Sequence, residues 1–161
     1  MNQRIFDSPV GRLLLGTRDG KLCKIRRVVS DDTCVENVAD PVLDEAQKQL
    51  DEYFCGRRTA FTLPLEIEGT AFECAVWQQL LQIPFGTVMT YGQLAAKLGM
   101  PKAARAVGGA CSSNPLLIVV PCHRVIAGTG KLTGFAAGMQ AKRVLLETEG
   151  WTIQGDRVIK E

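Results

Sequence analysis

Cys122 and His123 stand side by side in the string Pro121-Cys122-His123-Arg124-Val125, and His123 is the only imidazole among 161 residues. A thiol reacts as its thiolate, and an unperturbed pKa of roughly 8.5 must be lowered by a cation, a helix N-terminus or a base before attack is fast at neutral pH. The pair is therefore a candidate nucleophile with its base, and coupling between them predicts a thiol pKa below the ordinary value. Neighbours in an extended strand point to opposite faces, so a turn or a bridging water has to bring the two groups together. On local chemistry alone, a structural Cys beside a satisfied core His fits as well as a catalytic pair.

The other five cysteines, Cys23, Cys34, Cys55, Cys74 and Cys111, are dispersed. No C-x-x-C occurs and there is no second His, so neither a zinc site nor a disulfide framework is expected, and the thiols read as reduced, mostly inert small apolar groups. No metal and no cofactor is expected. A chain that is 46% apolar and 22% charged is an ordinary globular composition, which excludes disorder, collagen and coiled coil. No run of 18 apolar residues and no secretory signal is found, so no membrane association and a cytoplasmic location are expected.

Charge divides the chain after Glu68. Residues 1–68 hold 10 basic and 12 acidic side chains, whereas residues 69–161 hold 9 basic and 5 acidic. From Cys74 to Arg143 there are seven Lys/Arg and no Asp or Glu. A segment of that length without a carboxylate points to a polyanionic partner, since an acid there would repel phosphate. A chance fluctuation of composition explains it equally well.

These residues need elements to hold them. Short apolar runs around Ile5, Leu14 and Ile25, separated by Ser8-Pro9-Val10-Gly11 and Asp19-Gly20, predict a small antiparallel meander. Pro41 followed by Val42, Leu43, Ala46, Leu50, Tyr53 and Phe54, stopped by Gly56, predicts a helix. Alternation of Phe61, Leu63, Leu65 and Ile67 predicts one more strand over 60–67. A boundary is expected at Glu66-Ile67-Glu68-Gly69, giving an N-terminal α/β domain, 1–68, and a mostly helical domain, 69–161.

Thr70-x-x-Glu73 and Thr90-x-x-Gln93 are capping boxes opening two helices. Gly99-Met100-Pro101 is a turn, and 102–111 predicts a further helix, so that 91–111 reads as a helix-turn-helix with Lys102 and Arg105 on the outside of its second helix. The apolar run 116–120 predicts a buried strand or extended strut that delivers Cys122 onto a Pro-fixed turn. Gly128, Gly130, Gly134 and Gly138 punctuate a loop over 127–138, and a last helix over 140–149 is ended by Gly150. The tail from Trp151 carries no clear signal.

Ile83-Pro84-Phe85-Gly86 with Thr90-Tyr91, then 101–108, then Asn114-Pro115, then Pro121-Cys122-His123-Arg124-Val125-Ile126, in this order and spacing, resembles the O6-alkylguanine-DNA alkyltransferase family. The resemblance runs from about Thr70 to Gly150. It implies an α+β fold with a ribonuclease-H-like N-terminal domain and a DNA-binding helix-turn-helix domain. It also implies direct-reversal repair of double-stranded DNA: minor-groove binding, flipping of the damaged guanine, and irreversible transfer of its O6-alkyl group to a cysteine, one lesion per molecule. Flipping suits chemistry at an atom buried in a duplex. Carried over, Cys122 is the nucleophile, His123 the base acting through a water, Glu149 the carboxylate orienting that His, and Asn114 the organiser of the turn. Tyr91 donates to the departing guanine. The carbonyls of Cys122 and Val125 accept from the guanine amino group, while Phe135 and Ala136 wall the pocket, with the Ala136 N–H near O6. Arg105 fills the gap left by the flipped base, and Lys102, Thr90, Gly92 and Gly128 contact DNA. A monomer is expected, nucleoid-associated if prokaryotic.

Each residue also has a plain structural reading: Tyr91 as a core aromatic, Glu149 as a solvated charge, Arg105 as a phosphate contact only. Where many relatives carry Tyr and Gly this chain has Phe135 and Ala137, which alters the pocket width, and Ser112-Ser113 replaces a pair often bulkier or basic. Animal members hold zinc through N-terminal Cys and His, which a chain with one His is expected to lack. The alternatives are a non-catalytic alkyltransferase-like lesion binder, which would lack the Cys, a helix-turn-helix regulator, and a Cys-His hydrolase.

Overall fold

The computed structural model describes residues 1–29, 35, 38–135 and 137–159. Cys34 and Ala136 lie outside the described residues. The fold is α+β, in two compact units: Met1–Ile67 with Pro115–Leu117, and Glu68–Asn114 with Ile118–Glu161.

In the first unit, β1 (Asn2–Ser8), β2 (Gly11–Arg18) and β3 (Lys21–Arg27) form an antiparallel meander. Helix α1 (Pro41–Phe54) buries Leu43, Ala46, Leu50 and Tyr53 and packs on all three strands, against a core of Leu13, Leu15, Leu22 and Ile25. Asp40 caps α1 by accepting the N–H groups of Val42 and Leu43, and the Thr17 hydroxyl donates to it at 2.6 Å. The Thr17 hydrogen bond, aided by Asn2 and the helix N–H groups, outweighs burial and holds the Asp40 carboxyl at about 2. The strand expected over 60–67 is reduced to a single parallel bridge between Leu22 and Leu65. Its two bonds are Leu22 N–H to the Pro64 carbonyl (2.8 Å) and Glu66 N–H to the Leu22 carbonyl (2.9 Å). Pro64 has no N–H with which to extend a ladder.

The second unit contains α2 (Ala71–Leu80), α3 (Tyr91–Lys97), α4 (Ala104–Ser112) and α5 (Met139–Thr148). Both capping boxes are formed. Gly69 is required by close approach, because a Cβ there would lie 2.5 Å from the Trp77 ring, and Trp77 donates its indole N–H to the Ala110 carbonyl at 2.9 Å. That bond ties α2 to α4, and α3 packs on α4 in the helix-turn-helix. Lys102 sits in the turn before α4 rather than on it: after Pro101 the chain bends through Ala103, φ −96° and ψ 20°, before helical geometry begins.

The run 116–120 is buried throughout but is not a strand. Leu116 makes one parallel bridge to Ile25, and 117–119 then turn, with Ile118 at φ 74°, a costly conformation for a β-branched residue. Contiguous apolarity specified burial, not extension. The segment leads into a 3-10 turn, Cys122–Arg124, and then β5 (Val125–Ile126), which pairs in parallel with β4 (Met89–Thr90). The tail forms a hairpin, β6 (Thr152–Gln154) with β7 (Arg157–Ile159), whose Ile153 packs with Ile126, Leu132 and Leu146.

Candidate active site

Cys122 opens the 3-10 turn and is 3% exposed. Asn114 donates from Nδ2 to the Val120 carbonyl at 2.7 Å and to Cys122 Sγ at 3.1 Å, so one amide fastens the buried turn and holds the sulfur. Burial pushes the thiol up from 9.0 to about 11, against the opposing pull of the Asn114 hydrogen bond and the Lys142 ammonium. This reverses the expectation of a lowered thiol pKa. In a dry core the neutral thiol wins over the thiolate.

His123 is fully buried, and its Nε2 meets Glu149 Oε2 at 2.6 Å. Glu149 caps the C-terminus of α5 with a side chain that solvent does not reach. Its Oε1 accepts from Arg124 Nε (2.8 Å) and from the Gly86 N–H (3.0 Å), and Arg124 Nη2 donates to Oε2 at 3.1 Å. Arg124 Nη1 donates to the Ile83 carbonyl at 2.6 Å. Burial alone would raise the Glu149 carboxyl, but the hydrogen bonds and charges of His123 and Arg124 hold it at about 2. Burial lowers the His123 pKa despite the carboxylate. The imidazole is therefore neutral at pH 7, and a proton facing a carboxylate belongs on Nε2. The acceptor nitrogen is Nδ1, a buried atom with no protein partner among the described residues.

Tyr91 begins α3 directly after its cap Thr90, where the β4–β5 pairing brings it close to the Cys122 turn. Burial raises its phenol pKa. Lys142, fully buried on α5, donates to the carbonyls of Val125 (2.6 Å) and Thr133 (2.8 Å) and lies 5.9 Å from the Tyr91 ring centre. Burial lowers the ammonium from 10.5 to about 8. The Phe135 ring stands edge-on to His123 at 6.5 Å. The structure thus gathers Cys122, His123, Glu149, Asn114, Tyr91, Val125 and Phe135 into one region. Arg105, Lys102, Gly92 and Gly128 are exposed on the surface. The Thr90 hydroxyl accepts from Gln93 N–H at 3.1 Å, which leaves its own proton free.

Arg124 and Lys142 were not singled out in the sequence. Counting them with the acid-free segment treated them as outward charge, whereas both point inward. Spacing held the signal for one of them: Lys142, Leu146 and Glu149 share a helical face. Among the described residues no His/Cys/Asp/Glu group is arranged to hold a metal, and no helix is long and apolar enough to cross a membrane.

A helix-turn-helix in one unit with a buried thiol and a buried His–Glu–Arg cluster has the architecture of a nucleic-acid-binding domain. Comparison with known proteins makes this specific. The ribonuclease-like domain of 6-O-methylguanine DNA methyltransferase matches residues 1–67, and the DNA-binding domain of the same protein matches residues 71–151. A methylated-DNA–protein-cysteine methyltransferase of Methanosarcina acetivorans is 43% identical over 156 residues, covering 93% of this chain and 99% of the relative. Its counterpart from Mycobacterium bovis is 42% identical over 152 residues, 92% of each chain. A crystal structure of Mycobacterium tuberculosis OGT in complex with DNA has a TM-score of 0.85 at 42% identity, covering 92% of both chains. The chain belongs to the 6-O-methylguanine DNA methyltransferase family.

Proposed function

We propose that this protein repairs O6-alkylguanine in double-stranded DNA by transferring the alkyl group to its own Cys122. Family membership and the DNA complex of a 42% identical relative support the reaction and the partner. The observation that carries the reading to particular residues is the buried Cys122 thiol followed at once by an imidazole whose far nitrogen faces an ionised carboxylate.

In this reading the exposed Arg105, Lys102, Gly92 and Gly128 and the half-buried Thr90 lie along the minor groove, and Arg105 occupies the space of the flipped base. The domain expected over 69–161 carries both DNA binding and chemistry. The guanine amino group donates to the carbonyls of Cys122 and Val125, with Phe135 as pocket wall. The Cys122 proton passes through a water to His123 Nδ1, and the imidazolium so formed is stabilised by Glu149. A resting thiol near 11 makes this base a requirement: the thiolate forms only as the proton leaves. Sulfur then attacks the alkyl carbon and the carbon–O6 bond breaks. Its electron pair departs with guanine, the Tyr91 phenol gives its proton to the leaving base, and the proton held on His123 returns through water to the Tyr91 phenolate. The products are intact guanine and a thioether at Cys122, which no group in the site reverses, so the protein acts once. It works as a cytoplasmic monomer without cofactor or metal.

Cys122→Ser is the test. The variant should bind a duplex containing O6-methylguanine with wild-type affinity and transfer nothing. Residual transfer would assign the chemistry to another residue.

A further inference from the structure

Thr133 lies in the glycine-punctuated loop, yet its position is fixed on both sides. Leu132 before it is 7% exposed and packs with Ile126, Leu146 and Ile153, and its N–H donates to the Asp156 carbonyl at 2.7 Å. The Thr133 carbonyl accepts from the buried Lys142 ammonium at 2.8 Å. The hydroxyl of Thr133, so placed, donates to the Tyr91 phenol oxygen at 3.3 Å.

A phenol has one proton and can accept at its oxygen. When Thr133 donates into that oxygen, the Tyr91 proton is left to point elsewhere, and a donor that is itself accepting a hydrogen bond is polarised toward giving its proton. The same contact limits the swing of the phenol about the ring axis, so the donor is aimed before the substrate arrives. Lys142 lies over the Tyr91 ring face, 5.9 Å from its centre.

We infer that Thr133 is a positioning residue for alkyl transfer: its hydroxyl orients and polarises the Tyr91 phenol as proton donor to the departing guanine. This rests on the role given to Tyr91 above, and the experiment separates the two. Thr133→Val keeps the carbonyl that holds Lys142 and the shape of the side chain but removes the hydroxyl. It should slow transfer from O6-methylguanine in duplex DNA about three- to tenfold, the value of one neutral hydrogen bond in the transition state. Thr133→Ser should restore the rate. In a Tyr91→Phe background Thr133→Val should have no further effect, and alkylation of Cys122 by iodoacetamide, whose leaving group needs no proton, should stay unchanged in Thr133→Val. A loop that merely loosened would slow both reactions and add to the Tyr91→Phe loss, which overturns the inference. A faster Thr133→Val also overturns it, since the phenol would then be giving its proton to Thr133. Tyr91→Phe slow with Thr133→Val at the wild-type rate removes Thr133 alone, whereas Tyr91→Phe at the wild-type rate removes the assignment of Tyr91 on which it depends.

Discussion

His123 Nε2 and Glu149 Oε2 meet at 2.6 Å with both side chains shut away from solvent, and the Arg124 guanidinium donates to the other oxygen of the same carboxylate at 2.8 Å. Glu149 is therefore the counter-charge of a buried cation as well as the partner of the imidazole. Glu149→Gln should slow transfer and also destabilise the fold by about 3–5 kcal/mol, the usual result of leaving one buried charge uncompensated. Urea unfolding beside single-turnover kinetics measures both, and a variant as stable as wild type would contradict the ion pair. The sign with pH is fixed. The carboxyl sits at about 2 in the fold against an ordinary 4.5, so its stabilisation is complete above 4.5 and is lost as pH falls from there toward 2. The variant should show a shallower acid limb.

The Cys122 thiol, raised to about 11, predicts slow intrinsic reactivity. Its alkylation by iodoacetamide, followed on the Cys122 peptide by mass spectrometry, should rise with pH toward an inflection near 11. An inflection at or below 8.5 would mean a preformed thiolate. The neutral buried thiol contributes stability that is present below its ordinary pKa and lost as pH rises toward 11.

Asn114→Ala removes the donor to that sulfur and one of the two hydrogen bonds to the Val120 carbonyl, which keeps only the Cys122 N–H at 2.8 Å. The variant should lose about 1–3 kcal/mol, and its thiol inflection should move further up. Asn114→Ala with unchanged stability and an unchanged profile would show that the amide neither holds the turn nor touches the sulfur.

Arg105 is exposed on α4, and a side chain that holds open a flipped site matters only in a duplex. Arg105→Ala should slow transfer from duplex DNA strongly and leave reaction with free O6-benzylguanine nearly intact. Equal losses on both substrates would place Arg105 in support of the fold.

Much of the frame was legible because it is written in local chemistry. Thr70-x-x-Glu73 and Thr90-x-x-Gln93 form the caps their spacing requires, and the turn residues Ser8 to Gly11 and Asp19-Gly20 close the meander. Where sequence failed, the deciding contacts were non-local. Residues 116–120 are apolar enough to be buried but have only Leu116 beside a strand, so they turn. Arg124 and Lys142 resemble surface charges until Glu149, at the C-terminus of α5, meets the first, and the carbonyls of Val125 in β5 and Thr133 in the 127–138 loop meet the second. The terminal hairpin had a signal that went unread, Gly155-Asp156 between Thr152-Ile153-Gln154 and Arg157-Val158-Ile159. The thiol pKa is raised where the sequence predicts a lowered one, because adjacency of His123 carries no information on how dry the sulfur is.

The central claim is that Cys122 takes the alkyl group once and for good. A duplex carrying O6-methylguanine with a labelled methyl, incubated in excess over protein and followed by digestion and mass spectrometry, tests it directly. The account predicts one equivalent of label per protein molecule, all of it as a thioether on the Cys122 peptide, with the duplex left holding ordinary guanine. Label released as methanol, label on another residue, or continued repair beyond one equivalent would contradict it.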